Sequence, residues 1–144
     1  MKKAMTWNKH CRLGIDDMDT QHRLLFAIAG ELDEIHNPED QGPEIKYLIN
    51  HIRKYVQEHF TYEESFLEKH NYPDIEKHRE SHKIIVEEIN HTLTKSKDLH
   101  SLLDQLRYLM NVWVKDHILE TDKRYALWYN NTVAGNEDRK VQGY

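Results

Sequence analysis

Four stretches of this chain place apolar residues in alternating steps of three and four, a periodicity that confines it to helices each burying one face. The first runs Met18, His22, Leu25, Ala29, Leu32, and the second Ile45, Ile49, Ile52, Val56, His59, Glu63, Phe66. The third runs Ile75, His78, His82, Ile85, Ile89, and the fourth Leu99, Leu103, Leu106, Met110, Trp113, His117. Breakers separate them: Asn37-Pro38 with Gly42-Pro43, then Asn71-Tyr72-Pro73-Asp74. The polar stretch Thr94 to Asp98 offers Ser96 and Asp98 as N-caps for the last helix. Helices are therefore expected over roughly 17–36, 43–70, 74–94 and 98–127. Short connections make neighbours antiparallel, so the expected fold is all-α, an up-down-up-down antiparallel four-helix bundle. The bundle with its N-terminal arm takes residues 1–129, and the polar residues 130–144 read as a frayed tail.

A length of 144 residues suits one domain with one sizeable core. A formal charge of −5 argues against nucleic acid or an anionic membrane as the main partner. No stretch approaches the roughly 18 consecutive apolar residues of a membrane span. The start, Met1-Lys2-Lys3-Ala4, has signal-like charges but no apolar run behind them, so a cytoplasmic, monomeric protein without membrane attachment is expected. One cysteine, Cys11, can form neither an internal disulfide nor a thiolate metal site, and no Cys-x-x-Cys-His motif exists for haem attachment.

Histidine is the anomaly, with eleven in the chain. Five of them, His22, His59, His78, His82 and His117, stand on the seams together with Glu63, where a bundle wants leucine. Burying one unpaired polar group costs about 1–3 kcal/mol, so six would offset much of a domain's net stability of about 5–15 kcal/mol. Metal coordination is the available compensation. The other histidines act as a control: His51, His91 and His100 fall off the seams, His36 and His70 sit at helix ends, and His10 precedes the first helix.

Spacing supports a shared site. His59 and Glu63 are four residues apart, as are His78 and His82, so each pair projects from one helical face. In an antiparallel bundle all six seam residues gather at the same end. Six ligands are too many for one tetrahedral zinc, so two metals are implied. Imidazole and carboxylate without thiolate suit iron, copper or zinc, and a carboxylate able to bridge favours a di-iron centre. The ferritin-like arrangement needs two Glu-x-x-His motifs; the chain has one, Glu88-Ile89-Asn90-His91, and it lies off the seam.

The ordered set of motifs resembles the hemerythrin family in its bacterial form. It comprises Gly14-Ile15 leading to Asp19-Thr20-Gln21-His22, then His59-Phe60-Thr61-Tyr62-Glu63-Glu64, then His78-x-x-x-His82, and lastly Trp113-Val114-Lys115-Asp116-His117-Ile118 with Asp122. The resemblance covers about Trp7 to Tyr129 and fills all seven ligand positions of the family. It implies a hemerythrin-like bundle with His78, His82 and His117 on one iron, His22 and His59 on the other, and Glu63 and Asp122 bridging both. Asp122 comes from the resemblance alone. Five residues after His117 it stands about 140° round an α-helix, off the seam, so its role requires a distorted helix there. Glu64 is a rival to Glu63, but only Glu63 holds the seam position.

The resemblance further implies two iron ions, ferrous or ferric, with an oxo or hydroxo bridge, and reversible binding of dioxygen at the iron with two histidines. The expected role is an oxygen carrier or store and not an enzyme. An electron-donating reductase or an oxygen-using enzyme is the expected protein partner. Two rival readings use the same site, an oxygen or redox sensor and a detoxifier of peroxide or nitric oxide; a fourth is a zinc-binding bundle. Leu25, Phe26, Trp113, Val114 and Ile118 are expected to form a dry wall around the dioxygen position. Where the family often has leucine after the tryptophan, this chain has Val114, one methylene smaller. Val114→Leu is expected to slow autoxidation, followed as the decay of the dioxygen adduct; equal decay in both proteins would defeat the idea.

Overall fold

A computed structural model describes residues 7–134, without the side chains of Trp113, Val114 and Ala134. After a short 3-10 turn at Lys9–Cys11 come α1 (Asp16–Asp33), α2 (Gly42–Lys69), α3 (Ile75–Lys95) and α4 (Leu99–Tyr108). The chain then continues without a break as π1 (Leu109–Val114), π2 (His117–Asp122), α5 (Lys123–Trp128) and π3 (Tyr129–Ala134). These last elements form one long fourth arm over 99–134. The architecture is an all-helical four-helix bundle, with no strand among the described residues. α1 packs on α2 and α4, α2 on α3, and α3 on α4 and π1.

The helix ends have local causes. Pro43 opens α2 within its first turn, where its missing N–H costs nothing. At the other end of α2, Asn71 adopts the left-handed conformation at φ 58°. There the Tyr72 N–H reaches the Leu67 carbonyl at 3.0 Å and the Asn71 N–H reaches Glu68 at 3.1 Å, a Schellman closure. Asp98 is the N-cap of α4, accepting from the Ser101 N–H at 2.8 Å. Ser96, the other candidate cap, instead closes α3, its hydroxyl donating to the Thr92 carbonyl at 2.6 Å.

The described seam residues turn inward as expected, although Ile49, Phe66 and Ile75 are only partly buried where they pack on the core, and two further differences stand out. Leu99, the first residue of α4 after its Asp98 cap, is 37% exposed. The polar tail expected from Asn130 is helical as far as Ala134, and residues 135–144 lie outside the described residues. Asn130 has a reason to be ordered: its amide donates to the Leu13 carbonyl at 3.0 Å. The same arm is fixed from the other side, where the Leu13 and Gly14 N–H groups donate to the buried Asp19 carboxylate at 2.7 and 3.2 Å. Gly14 sits at φ 80°, and a Cβ there would come within 3.3 Å of the Asn130 amide. The N-terminal arm is thus tied to both α1 and the end of the fourth arm.

Two apolar clusters fill the bundle. The larger contains Leu25, Phe26, Leu32, Ile52, Phe60, Ile85, Leu106 and Ile118, and the smaller Leu13, Met18, Leu67, Tyr72, Tyr125 and Ala126. Arg107 fastens the far end of the larger cluster. Its guanidinium donates to the Leu32 carbonyl in the last turn of α1 at 2.9 and 3.1 Å and also to the Ile35 carbonyl just beyond the helix. Arg107→Ala is expected to lower stability by about 1–3 kcal/mol, the range for charged hydrogen bonds and unsatisfied carbonyls. Urea unfolding at unchanged m-value measures it, and an unshifted midpoint would contradict this role.

Candidate metal centre

Between the two apolar clusters lies a polar layer to which every arm contributes. α1 supplies His22, four residues after Met18 and three before Leu25. α2 supplies His59 and Glu63 between Val56 and Leu67, and α3 supplies His78 and His82 ahead of Ile85. The fourth arm supplies His117 and Asp122 at the two ends of π2. All seven are buried, with Glu63, His22 and Asp122 fully so.

The α-helical register places a residue five positions on about 140° away, so His117 and Asp122 should not meet. π2 changes that. Its wider turn, bonded i to i+5, brings Asp122 under His117, with Nε2 2.9 Å from Oδ1.

Donor atoms converge in two groups that share both carboxylates. One holds Glu63, His78, His82, His117 and Asp122, the other His22, His59, Glu63 and Asp122, and within each group the donor atoms lie within 4.8 Å of one another. Glu63 divides its oxygens between them: Oε1 lies 2.5 Å from His78 Nε2 and 2.9 Å from His82 Nε2, while Oε2 faces His59 Nε2 at 3.4 Å. Asp122 does the same, with Oδ1 toward His117 and toward His78 at 3.3 Å, and Oδ2 3.1 Å from His22 Nε2. His22 and His59 point their Nε2 atoms at each other across 3.1 Å.

These atoms are poorly satisfied by one another. Both Asp122 oxygens and His117 Nε2 make no hydrogen bond among the described residues, although they are buried and close. Orphaned acceptors at such depth cost about 1–3 kcal/mol each. Cations held between the two groups would satisfy them, and oxygen and imidazole donors without sulfur suit a borderline metal. The residues fit metal binding.

Charge leads to the same conclusion. Burial pushes the Glu63 carboxyl up, but hydrogen bonds from His59, His78 and His82 outweigh it and hold it well below the usual range. Burial and the Glu63 charge push Asp122 up, and the imidazoles of His117 and His22 bring it below its ordinary value. Burial lowers His78, yet the nearby Asp122 carboxylate and the hydrogen bond to Glu63 raise it to about 9, and burial likewise lowers His59 while Glu63 raises it above its ordinary value. The layer is a buried anion that demands positive charge.

A second ring of residues orients these histidines and Glu63. Nδ1 of His59 bonds the Gln21 amide oxygen, His82 Nδ1 bonds Glu64 at 2.9 Å, and His117 Nδ1 bonds the Ser81 hydroxyl at 2.8 Å. The Tyr125 hydroxyl donates to Glu63 Oε2 at 2.9 Å from a fully buried ring. Such partners fix ring orientation and tautomer at metal sites.

Residues 13–129 match the family described as Hemerythrin HHE cation binding domain. The chain belongs to the hemerythrin family. A bacteriohemerythrin of Clostridium acetobutylicum is 30% identical over 128 residues, covering 83% of this chain and 96% of that protein. One from Stenotrophomonas maltophilia is 25% identical over 122 residues, covering 85% of this chain and 79% of that protein. A third, from Campylobacter jejuni, is 25% identical over 127 residues, covering 87% and 96%. No solved structure matches the chain.

In this hemerythrin chain the structure brings together His22, His59, Glu63, His78, His82, His117 and Asp122. Glu64 stays outside, on the far side of His82. Of the expected apolar wall, Leu25, Phe26 and Ile118 are buried in the larger cluster beside the polar layer, while the Trp113 and Val114 side chains lie outside the described residues. Gln21, Ser81 and Tyr125 were missed by sequence reasoning. Gln21 adjoins His22, and Tyr125 follows Asp122 by three, so proximity to a ligand was the available signal. His10, His36, His51, His91 and His100 are exposed, as the control requires, and half-buried His70 caps α2 against Phe66 and Tyr129.

The raised His78 pKa makes a prediction for the metal-free protein. Its folded value lies above the ordinary 6.5, so its contribution is fully present below about 6.5 and is lost as pH rises through about 9. The urea midpoint of metal-free protein should fall across that window, and His78→Gln should flatten the fall. An identical pH profile in the variant would refute the assignment.

Proposed function

We propose that this hemerythrin-family chain holds two iron ions and binds dioxygen reversibly, as an oxygen carrier or store. The observation that carries the reading is the division of Glu63 and Asp122, each sending one oxygen toward each donor group. That arrangement suits two cations sharing two bridging carboxylates. His78, His82 and His117 would hold one ion, and His22 and His59 the other. The three relatives named bacteriohemerythrin support the same reading. The chemistry the pair supplies when bound is reversible electron donation to dioxygen.

The chain's own residues perform the remaining work. The group containing His22 and His59 offers four protein donors against five in the other, which leaves more room for a small ligand on that side. Leu25, Phe26 and Ile118 keep the neighbouring space apolar, so water and protons that would drive the reaction beyond reversible binding are excluded. Tyr125 donates its proton to Glu63 and so holds that carboxylate across the two groups. Among the described residues no helix is long and apolar enough to cross a membrane.

Metal analysis of the purified protein should give two irons per chain. A visible charge-transfer band should appear with dioxygen and vanish under argon over repeated cycles, and azide should give its own band with the oxidised protein. Asp122→Ala should abolish the oxygen-dependent band. Bound zinc in place of iron, or steady turnover of peroxide or nitric oxide with a reductant and no reversible cycle, would replace the carrier reading.

A further inference from the structure

The five ligand imidazoles are not backed alike. Each turns Nε2 toward the carboxylate layer, so with a metal ion held there the outer Nδ1 would carry the ring proton. His59 gives it to the neutral Gln21 amide and His117 to the neutral Ser81 hydroxyl. His22 and His78 have no hydrogen-bond partner for Nδ1 among the described residues. His82 alone of the five gives its proton to a carboxylate, Glu64, at 2.9 Å. Phe60 stacks flat on the same ring, with centroids 3.7 Å apart and planes within 3°, which restricts tilting of His82 toward that side.

Glu64 is itself fixed. Arg79 on α3 lies 3.5 Å from its other oxygen, 3.2 Å from Glu68 and in contact with Glu76, which ties the carboxylate to both helices. Glu64, Phe60, Arg79 and His82 all border one surface groove of about 480 Å³ between α2 and α3. The arrangement is a carboxylate–imidazole pair with one end at the centre and the other at the surface.

Resting on the di-iron reading above, we propose that Glu64 is a positioning residue that sets the reduction potential of the centre through His82. A carboxylate accepting the Nδ1 proton raises the electron donation of the opposite nitrogen, which a neutral acceptor does far less. Stronger donation favours the ferric state and lowers the potential, and hydrogen bonds beyond the ligands are an established lever on metal potentials. Dioxygen binding draws charge from iron, so the same donation tightens it. The asymmetry makes the three-histidine group the more electron-rich of the two.

Glu64→Gln keeps the length of the arm and a hydrogen-bond acceptor but removes the charge. It is expected to retain two irons per chain, raise the midpoint potential in a redox titration, and weaken dioxygen affinity. Arg79→Ala, which loosens the carboxylate without removing it, should shift the potential in the same direction by less. Glu64→Ala should in addition bind iron about ten-fold more weakly in competition with a chelator, the lower range for loss of an outer partner. A Glu64→Gln protein with two irons and a wild-type potential would overturn the proposal while leaving the di-iron reading intact. So would iron loss in Glu64→Gln with an unmoved potential in Arg79→Ala, which would make Glu64 a purely structural residue. A wild-type protein lacking a redox-active iron pair would bring down the reading beneath it.

Discussion

Two carboxylates buried at the centre of a helical bundle set the terms for everything around them. Glu63 and Asp122 are fully buried, and the groups nearest them are imidazoles. A charge at that depth is tolerated only when it is paired and hydrogen-bonded. Five histidines meet the demand, one each from α1, α2 and the fourth arm and two from α3, so no helix can leave the bundle without exposing the charge of the others. The two carboxylates in turn hold the His78 and His59 imidazoles above their ordinary value against the opposing effect of burial. Metal ions held in this layer would compete with protons for the same imidazoles.

The apolar clusters give this layer its precision. In α2, Phe60 belongs to one cluster and Leu67 to the other, with Glu63 between them; in α1, Leu25 and Met18 flank His22 in the same way. In the fourth arm, Ile118 and Tyr125 flank Asp122. Close packing on both sides restricts axial sliding, since a shift of one residue would drive a ligand into hydrocarbon and a leucine into the charged layer. The N-terminal arm closes the shorter side, where Asp19 and Asn130 bind its backbone.

Most of this was legible in the sequence because helix periodicity and polarity conflict at the same places. Glu63 and the five histidines stand at seam positions that packing would give to leucine, and the breakers fix the antiparallel order that gathers them. Asp122 was not legible by the same reasoning. Its spacing from His117 fits no α-helical face, and the widened turn of π2 that reconciles the two has no signature in composition or period. Only family resemblance pointed to it. Leu99 shows the opposite error: the period continues to the first residue of α4, but burial depends on where neighbouring helices begin, which period does not encode. Asn130 likewise reads as polar tail until the carbonyl of Leu13, distant in sequence, is brought to it.

Outer partners were the least legible class, and the reason is physical. A ligand on a seam is conspicuous because its polarity opposes its burial, whereas Gln21, Glu64 and Ser81 lie partly toward solvent, where polar residues are expected. Glu64 is a rival to Glu63 by sequence, off the seam, and it lies in neither donor group. Yet exclusion from the seam is what gives Glu64 its contact: one residue further along α2 it faces α3, and reaches His82 from the side opposite Glu63. Adjacent carboxylates on one helix thus approach the same imidazole at its two nitrogens. The pair Glu63-Glu64 encodes both the inner and the outer contact of His82, and helical geometry alone divides the roles.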